Sequence, residues 1–321
     1  MFLRFFVRVA AIFCMIGFGV LARRLKLIDR SAISQLSKLV TTFFYPALVF
    51  SSLVQNYTLD SLLGNWPLPL GAFSIMLGGY LIGSVAVRLI PFNTERRKNQ
   101  FLFQSTINNY SFLPMSIIMM LWGQEGVAQL ILATFGAEIL LWTLGIFILT
   151  GNKFSRESLK NLLSVPIMAI LTAICVIVAR SFGGESLSET FSTSAFAHVS
   201  TSFLDMLQMF GSATVPLAMF LAGSRVAELH PDHFVDLQQV LIVALRLLII
   251  PAAAVGFLFL LPFAPDLRRI LLIMAVMPCA ITSVILADVY DSDTDFAASS
   301  VLTTQIVSIL TIPAWLTLLN P

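Results

Sequence analysis

Apolar residues fall along this chain in ten long runs separated by short polar breaks. The runs cover roughly 2–22, 32–54, 66–90, 101–121, 126–150, 163–182, 201–226, 237–262, 267–288 and 296–319. A hydrocarbon core of about 30 Å takes about 20 apolar residues of helix to cross, and each run is near that length. The pattern therefore predicts ten transmembrane helices joined by short loops. The first run could be a signal peptide, but Arg23, Arg24 and Lys26 follow it where a small-residue cleavage site should stand. Positive charge there argues for a retained helix.

The runs divide into two sets of five around Gly151-Asn152-Lys153-Phe154-Ser155-Arg156. This predicts a first five-helix unit over 1–150, a cytoplasmic linker over 151–162 and a second unit over 163–321. Prolines recur in matching places. The second run of each half carries one, Pro46 in FFYPALVF and Pro216 in ATVPLAMF. The fourth run of each half is interrupted by another, Pro114 in NNYSFLPMS and Pro278 in AVMPCAITS. Each fourth run ends in a short polar turn (LWGQEG and VYDSDTD) before the last helix of its half. Five is odd, so the halves enter the membrane from opposite sides. That is the pattern of an inverted repeat, in which substrate sits at the midplane between discontinuous helices.

Composition agrees with the pattern. Hydrophobic residues make up 58% of the 321 and charged residues 11%, against about 25% charged in a soluble domain. A hydrated shell cannot be built from so few charges. The distribution of Lys and Arg sets an orientation. Thirteen fall on the face of the odd-numbered loops: Arg23, Arg24, Lys26, Arg30, Lys38, Arg88, Arg96, Arg97, Lys98, Lys153, Arg156, Lys160 and Arg225. Five fall on the other: Arg4, Arg8, Arg180, Arg268 and Arg269. The richer face is expected to be cytoplasmic, which places both termini outside a multi-pass protein of the plasma (inner) membrane. Cys14, Cys175 and Cys279 lie in apolar runs without metal or disulfide spacing, so no cofactor or metal is expected, and no nucleic-acid partner.

The fourth-run prolines carry the candidate chemistry. Proline lacks a donor and clashes with the preceding turn, and the freed backbone groups in lipid must find protein, water or ligand. A half-helix starting near Pro114 would aim its amides and positive dipole end inward, where an anion is stabilised. Pro278 would do the same from the other half. One proline alone reads best as a kink. Two related ones, with Asn108, Asn109, Tyr110 and Ser111 ahead of the first, read better as a binding site.

At these residues the sequence resembles the auxin efflux carrier family, which includes plant auxin exporters and bacterial organic-acid carriers, and it looks like a bacterial member. The resembling segments are IFCMIGFGVLARRLKLID, FFYPALVFSSL, INNYSFLPMSIIMMLWGQEG, FGSATVPLAMFLAGSRVA, LRLLIIPAA and MPCAITSVILADVYDSDTDFAASSVLTTQIVSILTIP. They occur in the family's order across essentially the whole chain. The resemblance implies an all-α polytopic membrane protein with the fold of the bile acid and arsenite transporter superfamily: ten transmembrane helices in two inverted five-helix repeats, with broken, crossing helices 4 and 9. It also implies an asparagine ahead of the fourth-helix proline that helps hold a substrate carboxylate. That role passes first to Asn109, five positions before Pro114, with Asn108 beside it. A small carboxylate is the substrate class the resemblance supports.

Other polar residues within the runs have two readings each. Glu138 is deep in the fifth run, where a charge costs about 3 kcal/mol on insertion scales. It is either a protonation site coupling transport to protons or a neutral, hydrogen-bonded group packing two helices. Arg246 either balances a carboxylate or snorkels to the surface. Thr282 and Ser283 either offer hydroxyls to the ligand or satisfy a carbonyl freed by Pro278. Asp205, Gln208 and Ser212 share a helical face that lines the cavity or forms a polar seam.

Several motifs fail. Asp291, Asp293 and Asp295 begin like a calcium loop, but Phe296 and Leu302 stand where glycine and glutamate belong; a loop capping the tenth helix fits better. His230-Pro-Asp-His233 lacks the HExxH pattern of zinc catalysis, and neither a Walker A lysine motif nor GxSxG occurs. Gly79 and Gly83 form a GxxxG pair that predicts close helix packing. The expected function is secondary active transport of small organic anions by alternating access, with the substrate at the crossover of helices 4 and 9. A passive anion channel is the alternative. An intramembrane enzyme is the remote one, because no facing catalytic pair exists within the runs. Membrane lipid is the other partner expected, and a homodimer is left open.

Overall fold

The computed structural model describes residues 2–151, 164–182, 195–228 and 236–320. The linker over 152–162 and the His230/His233 pair lie outside them. The described residues are all-α. Eight of the helical stretches are long and apolar enough to cross a membrane, and the protein is a polytopic membrane protein. Large apolar side chains such as Phe18, Leu81, Phe182 and Leu260 are exposed on the outer surface, as a lipid-facing surface requires.

The chain begins with α1 (Phe2–Arg24) and α2 (Arg30–Asn56), the second capped by Asp29, whose side chain accepts from the Ala32 N–H at 2.7 Å. Inside α2 the stretch Val40–Phe44 is a π turn that ends two residues before Pro46. The wider turn relieves the ring's clash with the preceding carbonyl. The same device recurs in α10 (Leu237–Leu260), where the π turn Leu245–Ile249 ends two residues before Pro251. Helix α3 (Pro67–Leu89) follows α2 after a short turn of helix at Leu59–Gly64.

Two segments are interrupted. In the first, α4 (Glu95–Thr106) stops, residues 107–111 are unwound, and α5 resumes at 112–122. Gly123, at φ +63°, then turns the chain into α6 (124–149); a side chain there would be strained. In the second, α11 (Pro265–Ala275) stops, 276–281 are unwound, and α12 (Thr282–Val289) resumes. Neither is apolar and long enough to register as one continuous span. Helix α4 carries Gln100, Gln104, Ser105 and Thr106, all fully buried.

The remaining helices are α7 (Val165–Phe182), α8 (Ala195–Ser212), α9 (Thr214–Val226) and α13 (Thr294–Leu319). Asp293 caps α13, accepting from the Phe296 N–H at 2.9 Å, so the aspartate-rich loop does cap the last helix. The second-run prolines differ in setting: Pro46 follows a π turn, whereas Pro216 follows a break at Ala213.

Packing sorts the helices into two groups. Helix α1 lies on α9, and α2 on α7, α8 and α9. The other group gathers α3, α4, α5, α6, α10, α11, α12 and α13 around the interrupted segments. Contacts of α1 with α13 and of α2 with the stretch that includes α5 and α6 join them. Close approach within the second group uses the GxxxG pair: a Cβ on Gly79 would meet the Ser105 carbonyl, and one on Gly83 the Ser105 hydroxyl.

Candidate functional site

The two unwound segments cross. Asn108 and Cys279 form an antiparallel bridge, and the Asn109 N–H donates to the Pro278 carbonyl at 2.8 Å. Side chains tie the crossing further. Gln104 donates from Nε2 to the Ser283 hydroxyl at 2.9 Å, and the Cys279 N–H donates to Thr304 Oγ1 at 3.3 Å. Asn108 is buried, and its Nδ2 donates to the Met274 carbonyl.

Beside the crossing lies a cavity of about 390 Å³, bounded by both helix groups. From the second group come Asn108 to Phe112, Glu138, Trp142 and residues 280–282. From the first come Tyr45 of α2 and Ala218, Met219, Leu221 and Ala222 of α9. Ser37, Thr41, Ser164 and Arg225 also line it; Ser164 and Arg225 lie at helix ends that border the odd-numbered loops, and Ser37 and Thr41 lie in the first half of α2. The lining is mostly apolar, with a few placed polar groups, as small-molecule sites usually are.

Two helix N-termini border this cavity, at Ser111–Phe112 for α5 and Ile281–Thr282 for α12. The first N–H groups of a helix have no partner within it, and no side chain caps either end, although at α12 the Ser283 and Val284 N–H groups donate to the Ala280 and Ile281 carbonyls. Ser111 donates its hydroxyl instead to the Tyr45 oxygen at 3.4 Å. Asn109 lines the cavity, and its side-chain amide makes no hydrogen bond among the described residues. The neighbouring asparagines therefore differ: Asn108 ties the scaffold and Asn109 has an open amide.

Glu138 also lines the cavity. Its Oε1 accepts from the Tyr110 hydroxyl at 2.9 Å and its Oε2 from Trp142 Nε1 at 2.8 Å. Thr282 is exposed to the cavity.

Four residues singled out in the sequence lie elsewhere. Pro114 is buried as the third residue of α5, so the half-helix begins two residues before it. Pro278 sits in the unwound segment, four residues before α12 starts. Ser283 is fully buried and turned toward Gln104. Gln208 lies on α8 and does not line the cavity; on its helical face Asp205 accepts from Gln55 of α2 at 3.4 Å.

Arg246 answers to neither of its sequence readings. It is fully buried and donates to three backbone carbonyls, those of Met277, Ser105 and Ala275. Tyr45, Trp142 and Arg225 were not singled out for the site. Tyr45 stands next to Pro46, and Arg225 reads in the sequence as one more loop charge.

A family model described as membrane transport protein matches residues 4–165 and 158–316, nearly the whole chain. The chain belongs to the membrane transport protein family. Membership makes it a membrane transporter of the auxin-efflux-carrier type, and a transport protein where an intramembrane enzyme was the remote alternative. Family relatives include an uncharacterized transporter of Methanocaldococcus jannaschii, 24% identical over 286 residues covering 87% of each chain. Another is an uncharacterized transporter of Methanothermobacter thermautotrophicus, 24% identical over 316 residues covering 96% of each chain. Both are archaeal, and neither name carries a substrate.

Proposed function

We propose that the protein is a secondary carrier of small organic anions that binds its substrate in the cavity beside the crossing and works by alternating access. One observation carries the reading: two uncapped half-helix N-termini and the open amide of Asn109 converge on one cavity between two helix groups. Each N-terminus is equivalent to about +0.5 of an elementary charge. Together they balance a carboxylate without a lysine or arginine at the binding point.

In this reading the two interrupted segments complete ten spans, arranged as two inverted repeats of five. The first packing group, α1, α2, α7, α8 and α9, is the frame. The second carries the crossing and moves against it, which exposes the same site to the other side. Ser164 and Arg225 line the cavity from helix ends beside the loops richer in Lys and Arg, so in this reading the mouth opens to the cytoplasm and both termini lie outside.

Glu138 gives this carrier a route to protons. A carboxylate and an anionic substrate in one cavity of this size repel each other, so substrate entry and proton occupancy at Glu138 are linked.

The test is counterflow in proteoliposomes. Preloaded unlabelled monocarboxylate should drive saturable accumulation of the labelled compound, and the matching amide should drive none. Equal exchange of acid and amide, or a steady ionic conductance, would contradict a carrier of anions.

A further inference from the structure

The N-termini of the interrupted segments face the cavity. The C-terminal ends of their first halves, α4 and α11, meet instead at Arg246, which does not line the cavity. This residue sits in the π turn of α10 and is 1% exposed. Its Nη1 donates to the Ser105 carbonyl in the last turn of α4 at 3.1 Å. Its Nη2 donates to the carbonyl of Ala275, the last residue of α11, at 3.3 Å. Its Nε donates to the Met277 carbonyl in the unwound segment at 3.2 Å. No carboxylate pairs with it among the described residues.

The last carbonyls of a helix lack an internal partner, and at membrane depth they must be satisfied by protein or ligand. Each helix C-terminus is equivalent to about −0.5 of an elementary charge. The ends of α4 and α11 therefore sum to about −1, which one guanidinium neutralises. In carriers built on discontinuous helices, such carbonyls and C-terminal ends commonly coordinate a coupling cation. Here the planar fork of an arginine, always charged and aimed at three oxygens, stands in that position.

We propose that Arg246 is a tethered counter-cation. It holds the two unwound segments together as one unit, it makes a bound metal cation at the crossing unnecessary, and its removal leaves a carbonyl-lined cation site. The idea presumes that the crossing belongs to a carrier, but its first test needs no substrate.

Thermal unfolding of detergent-purified protein would be compared in sodium chloride and in choline chloride, for wild type, Arg246→Ala and Arg246→Lys. Wild type should unfold at the same temperature in both salts. Arg246→Ala should be less stable in choline, and millimolar guanidinium should raise its unfolding temperature by about 3 °C while leaving wild type unmoved. Arg246→Lys should lie between the two, since it keeps the charge and loses the fork. A sodium-specific stabilisation of wild type would overturn the proposal. So would an Arg246→Ala protein, purified and folded, that no small cation rescues. Should Arg246→Ala fail to fold, Arg246→Lys decides: stability below wild type with partial recovery in guanidinium supports the proposal, and stability equal to wild type in choline contradicts the need for the fork. In proteoliposomes, wild-type counterflow should be equal with and without sodium. Because unfolding is read without substrate, loss of the organic-anion reading would leave that result standing.

Discussion

The backbone N–H of Asn109 donates to the Pro278 carbonyl at 2.8 Å, and this bond joins the two unwound segments at their crossing. It holds the backbone of Asn109 and leaves its side-chain amide open to the cavity. The adjacent Asn108 spends its own amide on the Met274 carbonyl. The two asparagines should respond differently to truncation. Asn108→Ala loses that bond and should cost about 1–3 kcal/mol of stability. Asn109→Ala removes no protein partner and should fall within about 0.5 kcal/mol of wild type. Thermal unfolding without ligand separates them, and equal losses would contradict the division of labour.

Glu138 shares the cavity with the proposed anion. As pH rises, its carboxyl loses a proton and the substrate meets a second negative charge, so apparent affinity should fall by about tenfold across the titration, a difference of about 1.4 kcal/mol. In Glu138→Gln the affinity should stay near the low-pH value at every pH. Counterflow as a function of pH is the measurement, and an unchanged pH profile in the variant would remove Glu138 from coupling.

Helix α3 offers a packing test. A Cβ on Gly79 would collide with the Ser105 carbonyl, whereas one on neighbouring Gly78 meets nothing within 4 Å. Gly79→Ala should therefore destabilise the protein by about 1–3 kcal/mol. Gly78→Ala should be neutral or slightly stabilising, because alanine favours helix by roughly 0.5–1 kcal/mol. Melting curves of the two variants decide it.

The direction of the open mouth can be read by labelling. With Cys14 and Cys175, both exposed, replaced by serine, Thr41→Cys should react with an impermeant maleimide only from the cytoplasmic side. Thr282→Cys, at the N-terminus of α12 on the cavity wall, should be protected by substrate. Labelling of Thr41→Cys only from outside would reverse the assigned orientation.

Much of this was legible in the chain. The continuous helices follow from run length and apolarity, and Pro114 and Pro278 mark where the interrupted segments lie. Their extent was less visible. Helix α4 begins at Glu95, ahead of its apolar run, where Thr94 caps it by accepting from the Arg97 N–H, and its Gln100, Gln104, Ser105 and Thr106 are buried within the protein. Arg246 was legible only as an anomaly. Its partners are main-chain carbonyls of distant segments, and no residue letter announces a carbonyl. Spacing placed Asp205 and Gln208 on one face of a helix but says nothing of which neighbour a residue there meets; Asp205 meets Gln55 of α2.

The central claim is that a carboxylate binds at the crossing through Asn109 and the two helix N-termini. Ligand-induced thermal stabilisation of purified wild type and Asn109→Ala against a panel of mono- and dicarboxylates tests it most directly. At 100 times its dissociation constant, a true ligand should stabilise wild type by about 2.7 kcal/mol. In Asn109→Ala the same concentration should give a much smaller shift, since a hydrogen bond to a charged group contributes about 1.5–3 kcal/mol. A carboxylate-specific shift that collapses in the variant is the predicted result. No shift with any carboxylate in folded wild type, or an equal shift in Asn109→Ala, would contradict the account.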